Sequence, residues 1–351
     1  GDMARNASPL VNWSQYIPLR LASGLVQCFS AGQNLHTASA IGSALYRMNR
    51  KRRERTHQNI RWSYPEWDES QVRYIAEKSY QSMIQLVMVD AHIMTRVLTP
   101  ETWPAYIRLK GARPVVEKLI QNKPVLMLTG HCGNWELLGY TLSMMGYPIT
   151  ALARPLDNPL INDWIVRIRE VYGLKILTKW GAAAELERHI KAGQHLGFIA
   201  DQNAGDRGIF VPFFGRLASS YKSIALLAMH YELPITIAQA RRVGQTFKYD
   251  LICSDLIEPE DWADQEDPLF YITARFNRGI EHLIRAAPEQ YLWLHRRWKS
   301  RPDHERQGKP MPKRTIEKLE ALPWMTDDEL GRIVEWSDRA ARQHASNGDV
   351  L

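Results

Sequence analysis

Two side chains in this sequence have the types and spacing to move a proton together. They are His131 and Glu136, within Thr129-Gly130-His131-Cys132-Gly133-Asn134-Trp135-Glu136-Leu137-Leu138. A neutral imidazole can take the proton from an attacking hydroxyl. A carboxylate on its other ring nitrogen fixes the tautomer and stabilises the imidazolium that forms. His131 ends an apolar run and Glu136 follows across a Gly-bracketed turn, so the two can meet without a full helical repeat between them. Gly130 and Gly133 let a substrate approach the backbone closely. On spacing alone the pattern is weak, because a histidine satisfied within its own loop reads equally well.

Such a pair needs a frame to hold it. β-rich runs at 107–110, 125–129, 149–153, 174–177, 196–200, 235–240 and 249–253 alternate with helical stretches at 114–121, 135–145, 159–171, 182–191, 220–231 and 269–286. Gly, Pro and Asn punctuate the joints. The pattern predicts an α/β fold with a mixed, mostly parallel central sheet, helices on both faces, and helical N- and C-terminal extensions. Sites in such sheets form where strand tips leave a crevice. Asp201 and Gln202 end the run 196–200 and are expected to line the crevice that holds His131. A last strand-like run covers 290–294. Thr326-Asp327-Asp328-Glu329 is a capping box that opens a final helix. The expected division is a helical membrane-associating region at 1–60, an α/β catalytic domain at 61–302 and a charged helical tail at 303–351.

Composition narrows the class of partner. The net charge of +7 favours anionic ones: a phospholipid surface, an acidic carrier protein or nucleic acid. No helix-turn-helix, RNP-like or zinc pattern accompanies that charge, which argues against nucleic acid. Cys28, Cys132 and Cys253 lie far apart with no CxxC, which argues against a disulfide framework and a zinc site and for a reducing compartment. Residues 21–46 hold no charged side chain, a length that could cross a bilayer. Gln27, Gln33, Asn34 and His36 make it a poor lipid-exposed span, and Arg47, Arg50, Lys51, Arg52, Arg53 and Arg55 follow it. An interfacial or core helix with a basic collar is the better physical reading.

The string GHCGNWELLG resembles the first block of the bacterial lipid A late acyltransferases, within the wider glycerolipid acyltransferase group that shares H-x4-[DE]. Other blocks follow in the order that family shows. Arg154-Pro155-Leu156-Asp157-Asn158-Pro159 is one; Asp201-Gln202-Asn203 followed by Gly208-Ile-Phe-Val-Pro-Phe-Phe214-Gly215 is another. Tyr291-Leu-Trp293-Leu-His295-Arg296-Arg297-Trp298-Lys299 is a third, and Arg55…Asn59 with Tyr64-Pro65-Glu66 precedes them all. The resemblance spans about residues 15 to 302. It implies a glycerolipid-acyltransferase-like fold, an acyl thioester donor on acyl-carrier protein or coenzyme A, no cofactor, and a hydroxylated lipid acceptor at the cytoplasmic leaflet of the inner membrane. By the same resemblance His131 is the general base and Glu136 its orienting partner. Arg154 holds a phosphate or the oxyanion, with backbone amides near Gly133. Asn134, Asp201, Gln202, Arg296, Arg297 and Lys299 contact substrate, and Phe210–Phe214 either line an acyl groove or pack in the core.

Two departures from that family stand out: the first helix is too polar for a bilayer anchor, and the tail after Pro302 is longer. Phosphatidylinositol mannoside acyltransferases share these blocks, so the acceptor stays open. A Cys132 nucleophile is a competing chemistry, although adjacent residues rarely present their side chains to one another. A non-catalytic lipid-binding relative is another alternative.

Overall fold

The computed structural model describes residues 8–121, 123–147, 149–153, 155–177 and 183–346. Its strands are β1 (Ile107–Leu109), β2 (Leu126–Thr129), β3 (Ile149–Leu152), β4 (Lys175–Leu177), β5 (His195–Ile199), β6 (Ile209–Phe213), β7 (Arg216–Ser220), β8 (Ile235–Arg242) and β9 (Tyr249–Ile257). Seven of them form one sheet in the order β1-β9-β8-β2-β5-β3-β4. Only the β8–β9 pairing is antiparallel. The α/β architecture expected from the alternation is therefore present, with the apolar run 125–129 at the centre of the sheet. Side chains alternate across it: Leu126 and Leu128 enter one buried cluster, Met127 the other. Helices Lys222–Tyr231 and Pro268–Ala286 contribute to the first cluster, helices Trp135–Met144 and Ala31–Met48 to the second.

Three elements differ from the sequence expectation. The charge-free stretch is two helices, Pro9–Gln27 and Ala31–Met48, with a break at Ser30, whose side chain and Gln33 form a capping box. Asn34 donates to the Val26 carbonyl, so these polar residues serve the bend. No helix among the described residues is long and apolar enough to cross a membrane. Gly42 sits where Ala31–Met48 crosses helix Glu69–Gln85; a Cβ there would lie 2.6 Å from the Gln81 Cα. Second, the motif residues 210–214 belong to a buried antiparallel hairpin, β6–β7, that apolar periodicity did not reveal. Its two-residue turn places Phe214 at φ 53 and Gly215 at φ 68, as a type I′ turn requires. The Phe214 amide donates to Glu281, and its ring packs on Trp293 and Tyr64. Third, 290–294 is not a strand; Tyr291 makes a single bridge to Cys132.

The tail folds back onto the domain as helices Asp303–Arg306, Lys313–Glu320 and Asp327–Ser346. Buried Glu305 pairs with Arg301 at 2.7 Å and accepts from Ser337. The Arg216 guanidinium is stacked between Trp62 (3.8 Å) and Trp336 (3.4 Å).

Candidate active site

Register on two neighbouring strands assembles the site. Thr129 of β2 pairs with Ile199 of parallel β5, so two residues beyond the strand tips His131 stands opposite Asp201. The His131 amide donates to Asp201 Oδ2 at 2.9 Å, and ring Nδ1 lies 2.7 Å from Oδ1. Asp201 is fully buried, and the His131 side chain is 11% exposed. Burial alone would raise the Asp201 carboxyl. The charge of His131 and hydrogen bonds from its ring and backbone outweigh burial and hold it well below the usual range. An anionic carboxylate accepting at Nδ1 leaves Nε2 as the proton-accepting nitrogen.

Glu136, expected on the second nitrogen of His131, lies elsewhere. It forms a two-point pair with Arg169 of helix Pro159–Glu170, with Nε 2.7 Å from Oε2. The reason is local. Glu136 is already the second residue of helix Trp135–Met144 and faces a neighbouring helix, whereas the strand register delivers a carboxylate to the imidazole directly. Its neighbour Trp135 meets the His131 ring edge-on, with centroids 5.0 Å apart.

Gly133 and Asn134 are structural in this geometry. Gly133 has φ +61, and a Cβ there would lie 2.3 Å from the Ala240 carbonyl oxygen, so only glycine lets the loop cross β8. Its amide donates to Gln290 at 3.0 Å and that of Asn134 to Ala240 at 2.7 Å, which removes both as oxyanion donors. The Asn134 side chain caps its helix through Leu137 and donates to Asp90, which pairs with Arg242 in the interior. The first two helix amides, Trp135 and Glu136, have no acceptor among the described residues.

The block 291–299 forms the opposite wall. Leu292 donates to the His131 carbonyl at 3.0 Å, Ser79 to the Tyr291 carbonyl at 2.7 Å, and Asn59 to the carbonyls of Trp293 and His295. Sequence reasoning left His295 out. Its ring lies 4.5 Å from that of His131, and burial, then the charge of His131, push its pKa down to about 4. The signal was its place in the final block, with no spacing rule to tie it to His131. Arg297, expected at the substrate, is 1% exposed and turned inward, donating to Ser220 Oγ (2.7 Å), Asn277 Oδ1 (2.9 Å) and the Ser219 carbonyl. Arg296, Lys299 and Gln202 are exposed. Arg154 lies outside the described residues. Cys132 is fully buried; burial and the Asp201 charge push its thiol up to about 12, which removes it as a nucleophile at neutral pH.

Two cavities meet at Trp135. One, a small mixed pocket, holds His131, Asp90, Arg242 and Gln290 on its wall. The other is an apolar groove lined by Met127, Leu138, Leu142, Ile149, Leu174 and Ile176, with Glu136 and Arg169 on its wall too. A proton-accepting histidine beside an apolar groove suits transfer of a group with a long hydrocarbon tail.

Residues 11–300 match the family described as bacterial lipid A biosynthesis acyltransferase. The chain belongs to that family. It is an acyltransferase, similar to the lipid A biosynthesis lauroyltransferase of Escherichia coli, at 26% identity over 75% of this chain and 84% of that protein. It is likewise similar to a lipid A biosynthesis acyltransferase of Haemophilus influenzae, at 22% identity over 73% of this chain and 78% of that one. The palmitoleoyltransferase of E. coli aligns at 27% over 57% of this acyltransferase and 65% of its own length. The tail beyond residue 300 lies outside the family match.

Proposed function

We propose that this acyltransferase moves a fatty acyl chain from a thioester, on acyl-carrier protein or coenzyme A, to a hydroxyl of a lipid A precursor. His131 is the general base and Asp201 the carboxylate that orients it. The 2.7 Å contact between them, beside an apolar groove, carries this reading. The acceptor hydroxyl gives its proton to His131 Nε2 as its oxygen adds to the thioester carbonyl. The amides of Trp135 and Glu136, at the positive end of their helix, hold the tetrahedral oxyanion; Arg154 is the further donor that family resemblance offers. The carbon–sulfur bond then breaks, and the imidazolium returns its proton to the leaving thiolate. The acyl chain lies in the apolar groove, where Glu136 serves by fixing Arg169. Exposed Arg296, near Arg55, and exposed Lys299 face the phosphates of the acceptor or the acidic carrier.

The site meets its lipid from the membrane surface, at the cytoplasmic face. Leu10, Trp13, Ile17, Leu21 and Leu25 are exposed at helical spacing on Pro9–Gln27. No acidic residue occurs from Met3 to Arg53, and the collar of Arg50, Lys51, Arg52 and Arg53 follows. An apolar stripe beside a basic collar matches an anionic phospholipid surface. Purified protein with lauroyl-carrier protein and a lipid A precursor tests the chemistry. The precursor gains one acyl mass, and His131→Ala abolishes the gain. Undiminished transfer by His131→Ala, or a trapped acyl-enzyme, sinks the mechanism.

A further inference from the structure

We infer that Gly139 and Gly197 set the acyl-chain length the groove accepts; this rests on the reading that the groove holds the donor chain. Glycine weakens both a helix interior and a strand interior relative to alanine, so one half-buried along a groove needs a reason. At several other glycines in this fold the reason is plain. Gly42 and Gly133 meet backbone at under 3 Å, and Gly111 or Gly146 have positive φ.

Gly139 and Gly197 have neither excuse. Gly139 lies in helix Trp135–Met144, and an added Cβ would meet only the Leu174 side chain, at 3.7 Å. Gly197 lies in β5, and an added Cβ would meet Ile149 Cγ2 at 3.4 Å and Ala151 Cβ at 3.7 Å. These are ordinary contacts, and Leu174, Ile149 and Ala151 all line the apolar groove, as do both glycines. What the missing side chains leave is room for a ligand.

Gly139 is one helical turn beyond Trp135, roughly 6 Å from the His131 end. Gly197 is four residues before Asp201, roughly 13 Å back along the chain. Both line the groove behind the catalytic pair, beside Leu174 and Ile149, on the path of an acyl chain whose carbonyl lies at His131. A methyl from either wall narrows the groove there and spares the part nearer the catalytic pair.

The test uses the full chain and the variants Gly139→Ala, Gly197→Ala and the double. Capric, lauric, myristic and palmitic acids each compete against a fluorescent fatty acid, and melting temperatures confirm folding. The longest acid bound well by the natural protein should weaken at least about tenfold in the double variant, with the shortest within about twofold. Unchanged ranking, uniform weakening, or no binding by the natural protein overturns the inference. Acyl transfer by the same samples is read separately. A shifted ranking without transfer to a lipid A precursor sinks the proposed function alone, and transfer with an unshifted ranking sinks only the glycine inference.

Discussion

Asp201→Asn separates the carboxylate that geometry assigns to His131 from the one that spacing assigns. Asp201 makes two contacts with the same residue: Oδ2 accepts the His131 amide and Oδ1 faces ring Nδ1. An asparagine can place only one oxygen. The backbone N–H cannot change role, so it keeps the oxygen and the side-chain NH2 turns to the ring. Nδ1 then becomes an acceptor, the proton moves to Nε2, and the base presents a hydrogen where it should present a lone pair. A wrong tautomer of this kind lowers kcat by about 10³–10⁴, or roughly 4–5.5 kcal/mol of barrier. KM should change little, because the substitution keeps size and packing. Glu136→Gln leaves the tautomer alone and should cost less than about tenfold in kcat, since the Arg169 contact it weakens is partly exposed. The assay is steady-state transfer from an acyl thioester, with melting temperature as the folding control. If Glu136→Gln abolishes turnover while Asp201→Asn keeps it within about tenfold, the register argument is refuted.

Other outcomes follow from burial. Arg297→Ala removes the guanidinium that donates to the carbonyl of Ser219 and to the oxygens of Ser220 and Asn277 in the interior, and urea unfolding should show a loss of about 3–5 kcal/mol. Cys132→Ala should retain acyl transfer, because a thiol pushed up to about 12 supplies no thiolate at neutral pH; its loss of activity in a stable variant would restore the nucleophile. His195 and His295 are held by burial at about 4. Between that value and the unfolded value near 6.5 the unfolded chain binds more protons. Stability is therefore full above about pH 6.5 and falls as pH drops toward about 4, by up to roughly 3 kcal/mol for each histidine. A flat urea midpoint across that window would contradict it.

The alternation of runs was enough to read the sheet, because strands covered on both faces are continuously apolar and helices between them keep a helical period. The β6–β7 hairpin escaped because all of β7, from Arg216 to Ser220, is buried although its composition is polar, so no apolar signal marks it. His131 was legible as a strand-tip residue, and so was Asp201. What one dimension hid was that their strands are neighbours: β3 and β4 intervene in sequence, yet β5 inserts beside β2. Glu136 is near in sequence and Asp201 is near in space. Arg297 misled for a related reason. A basic stretch reads as surface, but Asn277, Ser219 and Ser220 offer that one guanidinium an interior lined with acceptors.

The register between β2 and β5 also orders events in the making of the protein. Thr129 and Ile199 can pair only after two strands and three helices between them have been synthesised and stacked aside, a non-local contact of the kind that forms slowly. The proton-accepting unit therefore does not exist in the nascent chain or in any partly folded form with β5 still out of the sheet. Such a form could already expose apolar groove walls and the N-terminal helices, and so bind lipid, yet it could not activate a hydroxyl or a water molecule against a thioester. Competence arrives together with the finished sheet.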